Sequence, residues 1–223
     1  MKNILSLILI LLTIKATGQN HLIGVKGGIN WTNIKSNNFR SQINYRTTLT
    51  PGITYEYCIN KNFSVGADFI YNQRGFYDDY NFTDEFGNPN GENYSVKYKY
   101  DYISLPLKAG FKFGTKFYGF TNIGIIPSLL VDAKTTMPNF NWDGSVEGNI
   151  TYEVKSRVSK FDFAGFAEIG GGCKLNERSY LYASFLLQRS FTSITNSNYF
   201  EYSEIWHYGM SLNVGLKYSL TKK

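Results

Sequence analysis

The closing stretch of the chain, 206–220, places an apolar residue at every second position: Trp206, Tyr208, Met210, Leu212, Val214, Leu216, Tyr218 and Leu220. Between them stand His207, Gly209, Ser211, Asn213, Gly215, Lys217 and Ser219, all small or polar. Successive side chains of a strand point to opposite faces, so this pattern predicts a strand with one apolar and one polar or empty face. Strands of soluble domains typically run about five or six residues, whereas about 9–11 are enough to cross a bilayer at a tilt.

The alternation recurs in seven earlier segments: 23–31, 47–59, 63–74, 96–113, 117–131, 161–173 and 179–191. In 63–74, Phe63, Val65, Ala67, Phe69 and Tyr71 oppose Ser64, Gly66, Asp68, Asn72 and Arg74, with Ile70 out of pattern. Phe120, Ile126 and Leu130 interrupt the polar face of 117–131, and Phe166 that of 161–173. In 96–113 the apolar parity passes from Tyr98, Tyr100 and Tyr102 to Ile103, Leu105, Leu107, Ala109 and Phe111. That switch predicts a β-bulge between Tyr102 and Ile103, with Pro106 at a distorted or unpaired site.

The connections fall into two classes. Those around 60–62, 114–116 and 175–178 are short, while 35–46, 75–95, 132–160 and 192–205 are long and polar. Short turns on one rim and long loops on the other are the asymmetry of an outer-membrane barrel. The expected fold is therefore all-β: an eight-stranded antiparallel up-and-down transmembrane β-barrel with short periplasmic turns and long extracellular loops. An even strand number puts both termini on the periplasmic side. Tyr57, Phe63, Phe113, Phe117, Tyr180 and Tyr218 are expected in a lower aromatic girdle, and Trp31, Tyr71, Tyr98, Phe161 and Trp206 in an upper one.

The first residues add a delivery signal. Lys2, an apolar run over 4–14 and the small residues Ala16, Thr17 and Gly18 read as a secretory signal peptide over 1–18, leaving one barrel domain over 19–223. Removing Lys2 and Lys15 takes the net charge from +6 to +4, and the remaining basic residues are scattered singly. A nucleic-acid footprint needs a basic patch or stripe, so no nucleic-acid partner is expected. Cys58 and Cys173 are too few for a disulfide scaffold, and their opposite parities favour two free thiols over a bridge.

Four segments carry a family resemblance: GVKGGINWTNI at 24–34, FSVGADFIYNQRGF at 63–76, YISLPLKAGFKF at 102–113 and FAGFAEIGGGCKL at 163–175. They resemble the outer-membrane β-barrel domain common in Bacteroidetes, described as porin-like or PorT-like. The resemblance spans nearly all of the chain after residue 18 and implies an outer-membrane barrel, but its motifs build barrels and name no ligand. Family members usually end on an aromatic residue, whereas this chain continues past Tyr218 to Lys223.

With the polar face inward, the lumen gathers Lys26, Glu56, Asp68, Arg74, Lys99, Asp101, Lys108, Asp162, Glu168, Lys217 and His207. Isolated buried ions cost several kcal/mol, so charges of both signs in a closed interior must pair. Eight strands leave a lumen just wide enough for side chains to fill. The nine acidic and basic residues Lys26, Glu56, Asp68, Arg74, Asp101, Lys108, Asp162, Glu168 and Lys217 are thus expected to form a lumen charge network. Ser203, Glu204 and His207 suggest a hydrolytic set only if geometry unites them, and Asp78, Asp79, Asp84 and Glu85 read as a solvated acidic loop. No catalytic residue, metal or cofactor is expected. The expected partners are outer-membrane lipid and, through loops 75–95 and 132–160, an extracellular ligand or envelope protein. The function expected is that of a non-enzymatic structural or surface-recognition barrel. The alternatives are an accessory of envelope secretion or assembly, a small-solute porin and a soluble lipocalin-like carrier.

Overall fold

The computed structural model describes residues 20–36, 42–83, 89–141, 145–196 and 204–220. The segment 1–18 expected to be a signal peptide lies outside them, as do Asp84, Glu85, Ser203 and the terminal Lys222 and Lys223.

Among the described residues eleven strands form one sheet: β1 (Asn20–Ser36), β2 (Gln42–Leu49), β3 (Gly52–Cys58), β4 (Phe63–Thr83), β5 (Pro89–Ser104), β6 (Leu107–Gly114), β7 (Phe117–Phe140), β8 (Val146–Glu153), β9 (Phe161–Lys174), β10 (Ser179–Ser190) and β11 (Ile205–Ser219). They make a ring of eight staves, because β2 with β3 and β5 with β6 are each one stave interrupted by a proline, and β8 pairs only with β7, outside the ring. Proline has no N–H to give the ladder, so the chain breaks at Thr50 and Pro51 and again at Leu105 and Pro106. Their carbonyls still accept from the neighbour: Tyr71 N donates to Pro51 O at 3.0 Å and Asp68 N to Pro106 O at 2.9 Å. The ring closes where β1 and β11 pair antiparallel from Leu22 opposite Ser219 to Ser36 opposite Ile205. Every backbone edge within the ring is thereby satisfied, as a hydrocarbon surround requires.

Three tight turns define one rim. In two of them an asparagine caps the return: Asn60 Oδ1 accepts from the N–H of Asn62 and Phe63, and Asn176 Oδ1 from those of Arg178 and Ser179. In the third, Gly114 turns at φ +94°, where any side chain would be strained.

Side-chain polarity is inverted relative to a soluble barrel. Ile123 and Ile169 are each 65% exposed on the outside, while Lys26 is 8% exposed and Arg74 1% on the inside. At the opposite rim the polarity turns over again. On β5, Tyr100 and Tyr102 are buried inside while Asp101 shares the outward parity of Ile103. The parity of β5 therefore does not switch between Tyr102 and Ile103. The irregularity there lies in β7, which carries Val131 as an extra residue opposite Asp101 and Tyr102. The outer face there carries the pairs Lys99–Asp101 and Lys134–Asp132, with Asp101 buried among its neighbours, and the aromatic rings take the inside.

The long polar connections 75–95 and 132–160 are, among the described residues, largely strand. β4 and β5 pair up to Thr83 opposite Pro89, and β7 and β8 form a hairpin from Lys134 opposite Glu153 to Phe140 opposite Val146. Two residues expected in the aromatic girdles turn inward instead. Tyr98 stacks on Phe76 at 4.4 Å, and Tyr180 packs beside Tyr118 at 6.2 Å. Tyr180 shares its parity with buried Tyr182, so alternation outweighs its place beside a turn.

Candidate functional site

The interior is built in layers, each set by the height at which an inward residue leaves its strand. Nearest the short turns lie Tyr118, Phe120 and Tyr182. Gly215 makes room for them, since a Cβ there would sit 2.5 Å from the Tyr182 ring. The Lys217 ammonium stands 4.5 Å from the centre of that ring and pairs with Glu56.

The next layer is ionic. Asp68 accepts from Lys26 Nζ at 2.8 Å, Lys108 Nζ at 2.5 Å and Thr54 Oγ1 at 2.6 Å. Glu168 accepts from Asn122 Nδ2 and Ser184 Oγ, both at 2.6 Å. Three ammonium groups (Lys26, Lys108, Lys217) thus share this level with three carboxylates (Glu56, Asp68, Glu168), and the layer is neutral. All six are buried, so each charge has traded water for a partner or a fixed dipole.

An apolar layer of Ile126, Ala164, Phe166 and Leu186 separates these ions from the next pair. Above it Arg74 Nη1 donates to Asp162 Oδ2 at 2.5 Å, while Ser190 and Thr192 hydroxyls each donate to Asp162 at 3.0 Å. The guanidinium carbon also lies 5.0 Å from the centre of the Tyr102 ring. The long-loop mouth is filled by Ile34, Phe76, Tyr100, Tyr102, Leu130, Ala133, Val158, Ile194 and Ile205. Val158 reaches this cluster because residues 154–160 tuck inward between β8 and β9. There Val158 bridges to Thr195, and Ser159 N donates to Ile194 O at 2.7 Å.

Of the expected lumen charges, the structure brings together Lys26, Asp68 and Lys108, then Glu56 and Lys217, then Arg74 and Asp162. Glu168 joins through neutral donors. Asp101 stands apart on the outer wall, bonded to Tyr71 Oη at 2.6 Å and paired with Lys99 at 3.0 Å. Beside it Lys134 pairs with Asp132 at 2.9 Å and holds that carboxyl below its ordinary range. His207 lies in the mouth with the Tyr100 and Tyr102 rings edge-on at 5.3 and 6.0 Å, and neither of its nitrogens has a partner among the described residues. Among the described residues nothing completes a hydrolytic relay with it, and Ser203 lies outside them. Cys58 and Cys173 are free thiols.

The residues that broke the alternation, Ile70, Phe120, Ile126, Leu130 and Phe166, are the inward apolar layers themselves. Their signal was present in the sequence as exceptions within a polar face. The hydroxyl and amide partners of the ions (Thr54, Asn122, Ser128, Ser184, Ser190) sit on the same parity, but nothing in the spacing assigns them to one carboxylate or another.

Residues 17–222 match the sequence profile of an outer membrane protein beta-barrel domain. The chain belongs to that family. As a member it is an outer-membrane barrel, and its apolar outer band is the surface that meets lipid. No curated protein sequence matches it significantly. Among solved structures it is similar to Neisserial surface protein A, with 13% identity over 88% of this chain and 96% of that one and a TM-score of 0.45. It is also similar to OprG from Pseudomonas aeruginosa, with 10% identity, coverage of 91% and 97% and a TM-score of 0.47. The attachment invasion locus protein Ail of Yersinia pestis gives 12% identity, coverage of 88% and 97% and a TM-score of 0.41.

Proposed function

We propose that this outer-membrane barrel is a non-enzymatic, sealed scaffold that presents its long-loop rim outside the cell for recognition. In this reading the chain is cut after Gly18, both ends of the mature protein face the periplasm, and the interior ions serve as a structural plug. The observation that carries it is the packing of the lumen. Two cavities among the described interior residues hold about 10 and 20 Å³, room for a water molecule at most. Ion pairs at two levels and apolar layers between and above them oppose any ion that would traverse the axis. The raised strands of 75–95 and 132–160 offer the surface on which recognition would occur, since variation on a rigid scaffold concentrates there.

Planar-bilayer recording of the purified protein tests the seal. We expect no stable conductance, and a large stable conductance overturns the reading. Orientation is tested separately with Asn149→Cys in a Cys58→Ser, Cys173→Ser background. An impermeant maleimide should label that residue on intact cells, and labelling only after the outer membrane is opened puts the rim on the wrong side.

A further inference from the structure

Among the described residues the wall rises unevenly above the ring. The β10–β11 ladder ends at Arg189 opposite Tyr208 and β9 begins at Phe161, while β4, β5, β7 and β8 rise further. The inner face of this raised sheet holds a cavity of about 580 Å³ lined by Tyr98, Tyr100, Thr135, Met137, Tyr152 and Arg157, with the plug residue Val158 also at its wall. That volume is within the usual range for small-molecule sites, about 300–1,000 Å³.

The aromatic walls are held in place from behind. Tyr98 is stacked on Phe76 at 4.4 Å, and Tyr100 is braced edge-on by His207 at 5.3 Å. Tyr152 stands opposite Thr135 in the β7–β8 ladder and is 47% exposed. Rigid tyrosines supply contact area at little entropic cost.

The charge comes from the single turn Lys155–Arg157. Lys155 Nζ is already bonded to Val131 O at 2.6 Å. Among the described residues no carboxylate pairs with Arg157. Glu153 also touches the cavity, but its parity is opposite to that of Tyr152 and Val154, and it stands across the ladder from Lys134. Among the described residues the cup therefore combines flat apolar faces with a guanidinium that no carboxylate pairs, a group whose planar fork matches a carboxylate. A cationic guest would be repelled by Arg157. A saccharide would need many converging polar side chains, and the lining offers a threonine hydroxyl and phenols.

We propose that this cup binds a small carboxylate with a flat apolar body, the ring lying among Tyr98, Tyr100 and Tyr152 and the carboxylate on Arg157. The proposal rests on the reading that the long-loop rim is the recognition surface. Its test is calorimetric titration of sodium 2-naphthoate into the mature protein in nanodiscs. Saturable one-site binding is expected, with neutral 2-naphthalenemethanol at least about tenfold weaker, as loss of a charge-assisted hydrogen bond implies. Arg157→Gln and Tyr152→Ala should each weaken binding about tenfold or more, while Arg189→Gln, an exposed residue outside the cup, should leave it unchanged. If Arg157→Gln assembles poorly, Val154→Trp fills the cup from its wall and should abolish binding. Absence of saturable naphthoate binding, or equal binding by a folded Arg157→Gln or Val154→Trp variant, overturns the proposal. Either result with the rim still labelled on intact cells leaves the recognition reading standing, whereas labelling only from the periplasm defeats both.

Discussion

At the residue scale, Asp68 shows how a charge comes to sit inside a membrane protein. It is 3% exposed, and its two oxygens accept hydrogen bonds from two ammonium groups and a hydroxyl. Removing the carboxylate leaves Lys26 and Lys108 facing each other in a closed space. Breaking a buried pair from one side costs about 3–5 kcal/mol, much of it the uncompensated charge left behind. We expect Asp68→Ala to lose about that much stability in urea titrations of the protein folded into lipid vesicles. The triple change Lys26→Met, Asp68→Leu, Lys108→Met should recover most of the loss, because well-packed apolar replacements of buried ion groups are often neutral. A single variant as stable as the parent would mean that water reaches the site.

At the element scale, a strand here is read by what surrounds each of its ends. Within the apolar band, outward positions must be apolar. At the level of Asp101, Lys99, Asp132 and Lys134 the same parity turns charged, and the inward parity turns aromatic. A uniform rule of polar inside and apolar outside holds for β11 from Ser211 onward but fails for the upper half of β5. The consequence is measurable. Ile169→Arg lies in the band and should destabilise the folded barrel by about 2–4 kcal/mol, whereas Lys99→Arg above it should be nearly neutral. Equal costs at both positions in the same vesicle assay would place the bilayer elsewhere on the wall.

At the scale of the whole molecule, stability is a property of closure. β1 and β11 are the first and last strands, and their long antiparallel ladder turns an open sheet with two bare edges into a ring. An eight-stave ring filled from short-turn rim to mouth should resist detergent at low temperature. Unboiled protein should therefore migrate differently from boiled protein on a gel, and truncation before Ile205 should abolish the fast-migrating folded form. A truncated chain that kept the shift would show that the ring seals without its last strand.

Much of this was legible in the chain, and the reason is local. A side-chain period of two, tight turns with asparagine or glycine, and the contrast of short and long connections are properties of neighbours in sequence, so fold class, stave number and closure order follow from them. The apolar exceptions Ile126 and Phe166 were visible too, though not their meaning. What only the tertiary structure decided is which inward residues meet at one height: that Asp68 takes two lysines while Glu168 takes none directly, that Asp101 leaves the lumen altogether, and that Tyr98, Tyr152 and Arg157 converge on one cup. Those outcomes depend on register between strands many residues apart and on where the wall leaves the bilayer. Alternation within a single strand encodes neither.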